Sequence, residues 1–216
     1  MNVRKTILVQ VIKLLLHLHS FSYRVVGYLA QKVENNGLHP KHRLMNYHKF
    51  FVDNVEEDDV VLDIGCGNGA LTYDIANKAK KVVGIDLSAK NISFAKKRYS
   101  KENIEYICGD ALKDLPGKKF DVIIMSNVLE HIKSRVEFLK ELRKRTSKFL
   151  IRVPMINRSW IVLYKKELGL DYRLDKNHFI EYTLESFEEE LREAGLKIVD
   201  YNIQFGEIWA VVETLK

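Results

Sequence analysis

Residues 60–72 read Val60-Val61-Leu62-Asp63-Ile64-Gly65-Cys66-Gly67-Asn68-Gly69-Ala70-Leu71-Thr72. Val60–Ile64 is a short apolar run, with Asp63 as its one acid, of the kind that forms a strand buried on both faces. Gly65, Gly67 and Gly69 follow, and then a helical pattern begins. Glycines at these points let the chain turn tightly and let a ligand lie against bare backbone at the strand's carboxyl end. Gly65-x-Gly67-x-x-Ala70 also satisfies the dinucleotide fingerprint, whose last position admits Ala. The fingerprint alone does not choose a cofactor; the segments downstream do.

Strand-like runs at Val82–Ile85, Ile104–Ile107, Val122–Met125 and Phe149–Val153 alternate with helical stretches at Ala70–Asn77, Ala89–Tyr99 and Arg135–Arg145. This alternation predicts an α/β fold, a doubly wound, mostly parallel sheet covered on both faces. The chain ends differently. A helix at Leu184–Ala194 closes at Gly195, and two runs, Lys197–Ile203 and Ile208–Glu213, are joined only by residues 204–207. So short a join suits an antiparallel hairpin and is too short for a helical crossover.

Three further segments end strands where open parallel sheets bind ligands. KVVGIDLS, residues 81–88, ends in Asp86, placed to accept hydrogen bonds from both hydroxyls of a ribose. Asp86 could instead cap the next helix, although Ser88 already suits that cap. YICGDAL, residues 106–112, places Asp110 where it could accept from an adenine amino group or serve as a turn residue. FDVIIMSNVLEHI, residues 120–132, runs from a strand into Ser126-Asn127 and then Glu130-His131.

Together the acid-x-Gly-x-Gly-x-Gly loop, Asp86, Gly109-Asp110-Ala111 and Ser126-Asn127-Val128-Leu129-Glu130-His131 resemble the class I S-adenosylmethionine-dependent methyltransferases. Within them the set is most similar to the small-molecule group that includes ubiquinone-biosynthesis-like enzymes. The resemblance covers about residues 50–216 and implies a seven-stranded sheet with N-terminal helices. It implies S-adenosylmethionine as cofactor. Asp63, Gly65 and Gly67, with Cys66 and Gly69 in the same loop, would hold the methionine end, Asp86 and Leu87 the ribose, and Asp110 with Ala111 the adenine. Ser126 and Asn127 would complete that wall, and Tyr47 or His48 would reach the cofactor from the segment before the first strand.

The implied reaction is in-line displacement at the sulfonium methyl, in which the protein mainly positions the reactants. An oxygen nucleophile also needs a base, and a histidine titrates in the right range. His131, just after the fourth strand, is the expected base; capping or packing of the next helix is its structural alternative. Glu130 is expected to orient a partner or to bind a metal, and His178 would be the distant member of such a cluster. Some ubiquinone-pathway and small-RNA methyltransferases carry a metal-binding Glu-x-x-Glu-His in this region. Here Asn127 takes the first position, a weaker ligand for hard cations, so no metal is expected.

The interval 154–182 is long for a simple connection and mixes polar and aromatic residues. It reads as a substrate lid suited to a sugar or other hydroxylated molecule, or as a surface helix with a largely buried Trp160. Ahead of the sheet, residues 1–52 hold eight basic residues, one acid and five histidines, within a chain of 216 residues and net charge +6. The organisation expected is thus a basic helical segment, 1–52, joined to a nearly neutral methyltransferase domain, 53–216. In the first segment Thr6, Gln10, Lys13, His17, Ser20 and Arg24 line one helical face opposite a broad apolar one, and Gly37 and Pro40 stop the pattern. A second helix fits Lys41 to about Asn54. The apolar run Ile7–Leu18 contains Lys13 and is shorter than the roughly 20 residues of a membrane span. The apolar face is expected to cover the sheet edge, a second subunit or a membrane surface.

The balance of 46% hydrophobic and 30% charged residues excludes a disordered or low-complexity chain. Two cysteines, Cys66 and Cys108, are too few for a disulfide framework and point to a reducing, cytoplasmic setting; both read as small buried residues. Nucleic acid is not the expected substrate. The fourth-strand segment lacks the Asn-Pro-Pro-aromatic and Pro-Cys motifs of base methyltransferases. A small hydroxylated acceptor is expected, with a lipid-linked substrate at a membrane, and a cofactor-binding protein without turnover, as the competing readings.

Overall fold

The computed structural model describes residues 3–34, 39–115 and 117–215; Gly37, the expected helix stop, lies outside them. The helices are α1 (Val3–Val33), α2 (Lys41–Met45), α3 (Tyr47–Asp53), α4 (Ala70–Ile75), α5 (Ala89–Arg98), α6 (Arg135–Leu142), α7 (Trp160–Glu167) and α8 (Leu184–Glu193). The strands are β1 (Val60–Ile64), β2 (Lys81–Asp86), β3 (Ile104–Cys108), β4 (Val122–Ser126), β5 (Lys148–Pro154), β6 (Leu196–Gln204) and β7 (Glu207–Thr214).

The seven strands form one sheet in the order β3-β2-β1-β4-β5-β7-β6. β1 to β5 run parallel, and β7 pairs antiparallel with both β5 and β6. The parallel strands are apolar because helices cover them: Val61, Leu62, Ile123, Ile124, Leu150 and Ile151 are wholly buried. The β6–β7 hairpin turns on Phe205 and Gly206, both left-handed at φ 54° and 74°. That pair matches the two-residue turn whose twist suits paired strands. The chain reverses its strand order between β1 and β4, so the loops after these two strands open a crevice at the centre of the sheet.

The chain falls into two units: residues 1–47 with 159–172, and residues 48–158 with 173–216. The expected division at residue 52 therefore lies a few residues earlier, and the expected lid 154–182 is not one piece. Its helix α7 belongs with the N-terminal segment, whereas Arg173–Tyr182 belongs with the sheet. Trp160, on α7, is 71% exposed and not buried. Tyr182 is core, wholly buried with its hydroxyl donating to Glu190 at 2.6 Å.

In the first unit the expected helix from Lys41 to Asn54 is broken at Asn46, whose φ of 46° and ψ of 37° are left-handed. A residue in that conformation ends one helix before the next begins. In α1, Thr6, Lys13 and Ser20 of the polar face are among the less exposed positions, while Leu8, Leu14, Leu15 and Leu18 are exposed. One reason is that Ser20 accepts a hydrogen bond from Lys165 of α7 at 2.6 Å and donates to the Leu16 carbonyl. The apolar character of α1 also continues past Leu18 through Phe21, Val25, Val26 and Leu29. The helix is consequently long and apolar enough, by length and composition, to cross a bilayer, contrary to the reading of Ile7–Leu18 alone.

Candidate active site

The loop after β1 is held by its neighbours. The Gly65 and Cys66 N–H groups both donate to the Ile85 carbonyl on β2, at 2.8 and 3.2 Å. Gly65, Gly67 and Gly69 all have positive φ, at 67°, 54° and 83°. A side chain on Gly65 would strike Val128 Cγ2 at 2.7 Å, so the β4 loop packs directly against this glycine. A Cβ on Gly67 would find only the Gly65 carbonyl, at 4.0 Å, which leaves bare backbone facing open space. Such a cradle fits a ligand that approaches the chain closely.

Asp86 closes the loop from β2. Its carboxylate accepts from the Gly67 N–H at 2.9 Å and the Ser88 N–H at 2.8 Å, with Asn91 Nδ2 at 3.3 Å. A carboxylate has about four lone-pair sites, so capacity for a further donor remains. Ser88 caps α5, as its sequence position suggested. Asp63 is buried beneath the loop and accepts from Thr72 Oγ1 at 2.6 Å. Burial pushes its carboxyl up to about 7, against the opposing Thr72 bond. The Cys66 thiol is pushed up by burial and packs with Ile92, Ala95 and Tyr106. Cys108, by contrast, is exposed, because it ends β3 at the sheet edge strand.

The remaining expected cofactor residues each have local partners of their own. Asp110 forms a turn, accepting from the Leu112 N–H at 2.8 Å, and Ala111 is buried in the main core. Leu87 is exposed. His48 Nδ1 meets Asp74 of α4 at 2.6 Å. Tyr47 belongs to the first unit, where its hydroxyl meets His42 Nδ1 at 2.8 Å.

After β4, Ser126 ends the strand and Asn127 turns the chain in a left-handed conformation, φ 56°, while its N–H donates to the Arg152 carbonyl. A 3-10 turn, Leu129–His131, follows. Asn127 Oδ1 and both carboxylate oxygens of Glu130 are buried without a hydrogen-bond partner among the described residues. Buried polar atoms are normally satisfied, so these acceptors are suited to donors or a cation from a ligand. Burial pushes the Glu130 carboxyl up to about 7.

The Phe179 N–H donates to the Glu130 carbonyl at 2.7 Å and ties residues 173–182 to this turn. It thereby brings His178 against His131, ring centroids 4.7 Å apart and edge to face. One ligand atom from each of Glu130, His131 and His178 lies within 4.8 Å of the others, a spacing that could hold a divalent cation. Burial and the neighbouring His178 hold the His131 imidazole below its ordinary value. His178 is oriented by Glu181, whose Oε1 lies 3.2 Å from Nδ1 and also accepts from the Leu174 N–H. Arg158 grips the other Glu181 oxygen. Burial works against the Glu181 carboxylate, but bonds from His178, Leu174 and Arg158 hold it below the usual range. Sequence reading missed Glu181 and Arg158 as supports; the three-residue spacing of His178 and Glu181 was the available signal.

A glycine cradle and an acid at the ends of adjacent strands, beside a strand-four loop, on a sheet of this order define a Rossmann-like methyltransferase. Comparison with known proteins agrees. A family model described as a methyltransferase domain matches residues 62–148. A probable cobalt-precorrin-6B C(15)-methyltransferase (decarboxylating) of Methanococcus maripaludis is 37% identical over 127 residues, covering 56% of this chain and 67% of that protein. A ubiquinone biosynthesis O-methyltransferase of Bradyrhizobium diazoefficiens is 32% identical over 117 residues, covering 53% of this chain and 46% of that protein. The chain thus spans about two thirds of the first relative and about half of the second. Among solved structures, an S-adenosylmethionine-dependent methyltransferase from Clostridium acetobutylicum superposes with a TM-score of 0.63 at 15% identity, covering 92% of this chain and 100% of that one. A Haloferax volcanii putative methyltransferase, in complex with the Trm112 methyltransferase activator, gives a TM-score of 0.64 at 16% identity, covering 81% and 92%. At such identities these two speak to the fold. The chain belongs to the class I S-adenosylmethionine-dependent methyltransferases, and S-adenosylmethionine is its cofactor.

Proposed function

We propose that this chain transfers the methyl group of S-adenosylmethionine to a hydroxyl of a small polar acceptor, a sugar-like or otherwise hydroxylated metabolite. The observation that carries the reading is the convergence of Glu130, His131 and His178 at the end of β4, on the loop that packs against Gly65. Bound S-adenosylmethionine supplies a methyl already activated by its positive sulfur. The protein's task is to place the acceptor oxygen in line with it and to receive the proton.

In this reading Asp63, Gly65, Cys66, Gly67 and Gly69 form the methionine end, Asp86 and Leu87 the ribose end, and Asp110 and Ala111 the adenine end. Ser126 and Asn127 line the wall shared with the acceptor, and His48 closes the cofactor side. His131 receives the acceptor proton, with His178 packed edge to face against it and a Glu130 oxygen within 4.8 Å. The names of the relatives support oxygen as one target and a precorrin carbon as another.

Calorimetry with S-adenosylhomocysteine, on the wild type and on Asp86→Ala, tests the cofactor half. Binding that weakens at least about tenfold in the variant is expected, since charge-assisted hydrogen bonds are the strong ones. Unchanged binding would remove Asp86 from the site. For the acceptor half, His131→Ala should lose about a hundredfold or more in turnover with cofactor affinity kept. Loss of turnover on adding a chelator would instead assign the cluster to a metal ion.

A second reading is favoured by α1. Its exposed apolar residues and five basic residues, without an acid, suit the anionic face of a membrane, and so a lipid-linked acceptor met there from the cytoplasm. Pairing of α1 with a second copy in a homodimer is the competing outcome.

A further inference from the structure

The turn that carries His178 to His131 also carries two cations. Arg173 and Lys176, with Asn177, Phe179 and the two imidazoles, line a cavity of about 500 Å³. Asp175 stands between them in sequence, but its Oδ1 accepts the Asn177 N–H at 2.8 Å and is spent on shaping the turn. Its charge is still felt at His131. Glu130 is wholly buried and is not part of the lining. Among the described residues the lining thus carries a guanidinium and an ammonium beside an amide, a phenyl ring and the two imidazoles, while the nearby acids Glu130 and Asp175 are not part of it. Two cations on one wall favour an anionic occupant over a neutral one. Phe179, 55% exposed, adds an apolar surface beside the charges.

We propose that the methyl acceptor is an anion, whose carboxylate or phosphate group is held by Arg173 and Lys176 while its apolar part lies on Phe179 and its hydroxyl reaches the imidazoles. The proposal rests on the reading that Glu130, His131 and His178 form the acceptor side of the site, and it narrows that reading to one class of substrate.

The test is nuclear magnetic resonance of the histidine rings in the full chain saturated with S-adenosylhomocysteine, titrated in turn with benzoate, inorganic phosphate and neutral benzamide. Benzoate or phosphate should move the His131 and His178 ring signals saturably, and benzamide should not. The arm that binds tighter identifies the anionic group as carboxylate or phosphate. In the Arg173→Gln, Lys176→Gln double variant the dissociation constant should rise by at least about tenfold. Equal shifts with benzamide, no saturable shift with either anion, or an unchanged constant in the variant would each overturn the proposal. S-adenosylhomocysteine calorimetry on the same samples reports the methyltransferase reading separately, and its result should be the same in the double variant as in the wild type.

Discussion

Asp63 shows how much a single buried carboxyl governs here. It sits inside the sheet unit with Thr72 as its donor, and burial lifts it to about 7 from an ordinary 3.8. In the folded chain it therefore keeps a proton that the unfolded chain releases near pH 4. Its contribution is most favourable below that pH and is progressively lost as pH rises to about 7, beyond which it is constant. Asp63→Asn cannot ionise, so wild-type stability relative to this variant should fall between pH 4 and pH 7, by about 1.4 kcal/mol per pH unit at most. Urea unfolding across that range measures it, and parallel curves would refute it. The place of Asp63 before the glycines was legible in the sequence. Its burial and its bond to Thr72 were not, because they depend on α4 folding back under β1.

At the scale of elements, the loops after β1 and β4 form one structural piece through the contact of Gly65 with Val128. Gly65→Ala would combine a left-handed φ of 67° with a 2.7 Å clash. We expect a loss of about 1–3 kcal/mol in stability, and weakened S-adenosylhomocysteine binding from displacement of the loop. Thermal unfolding and calorimetry would report both, and wild-type values would show that the loop yields freely. Five strands, the helices α4, α5 and α8, and the hairpin were readable to within a residue or two, because short apolar runs bounded by turn residues and alternating with helical periods mark buried parallel strands; α6 ends three residues before the expected Arg145. The break at Asn46 was not readable, since a left-handed asparagine carries no mark in the helical pattern around it. Nor was the division of 154–182, whose two parts differ in what they pack on and not in composition.

For the whole molecule, the net charge of +6 resides in the segment that contains α1. The described part of this helix carries Ile7, Leu8, Leu14, Leu15, Leu18 and Phe21 exposed, beside Arg4, Lys5, Lys13 and Arg24. Co-sedimentation of the full chain with vesicles containing anionic lipid is expected at low salt. If the contact is a surface one, it should weaken by about tenfold or more as salt screens it. Salt-resistant association would mean that α1 inserts as a span, and absence of binding at low salt would refute a membrane role.

Local pattern determined which segments are strands, where the glycine loop turns, and that acids stand at the ends of β1, β2 and β3, because these follow from backbone geometry and side-chain period alone. The family followed from that set. Only the tertiary structure decided that His178, 47 residues from His131 in sequence, stands against it. It also decided that Glu181 and Arg158 orient it, and that Arg173 and Lys176 wall the same cavity. The reason is that one long-range backbone hydrogen bond, Phe179 N–H to the Glu130 carbonyl, closes that loop, and no local rule specifies its partner.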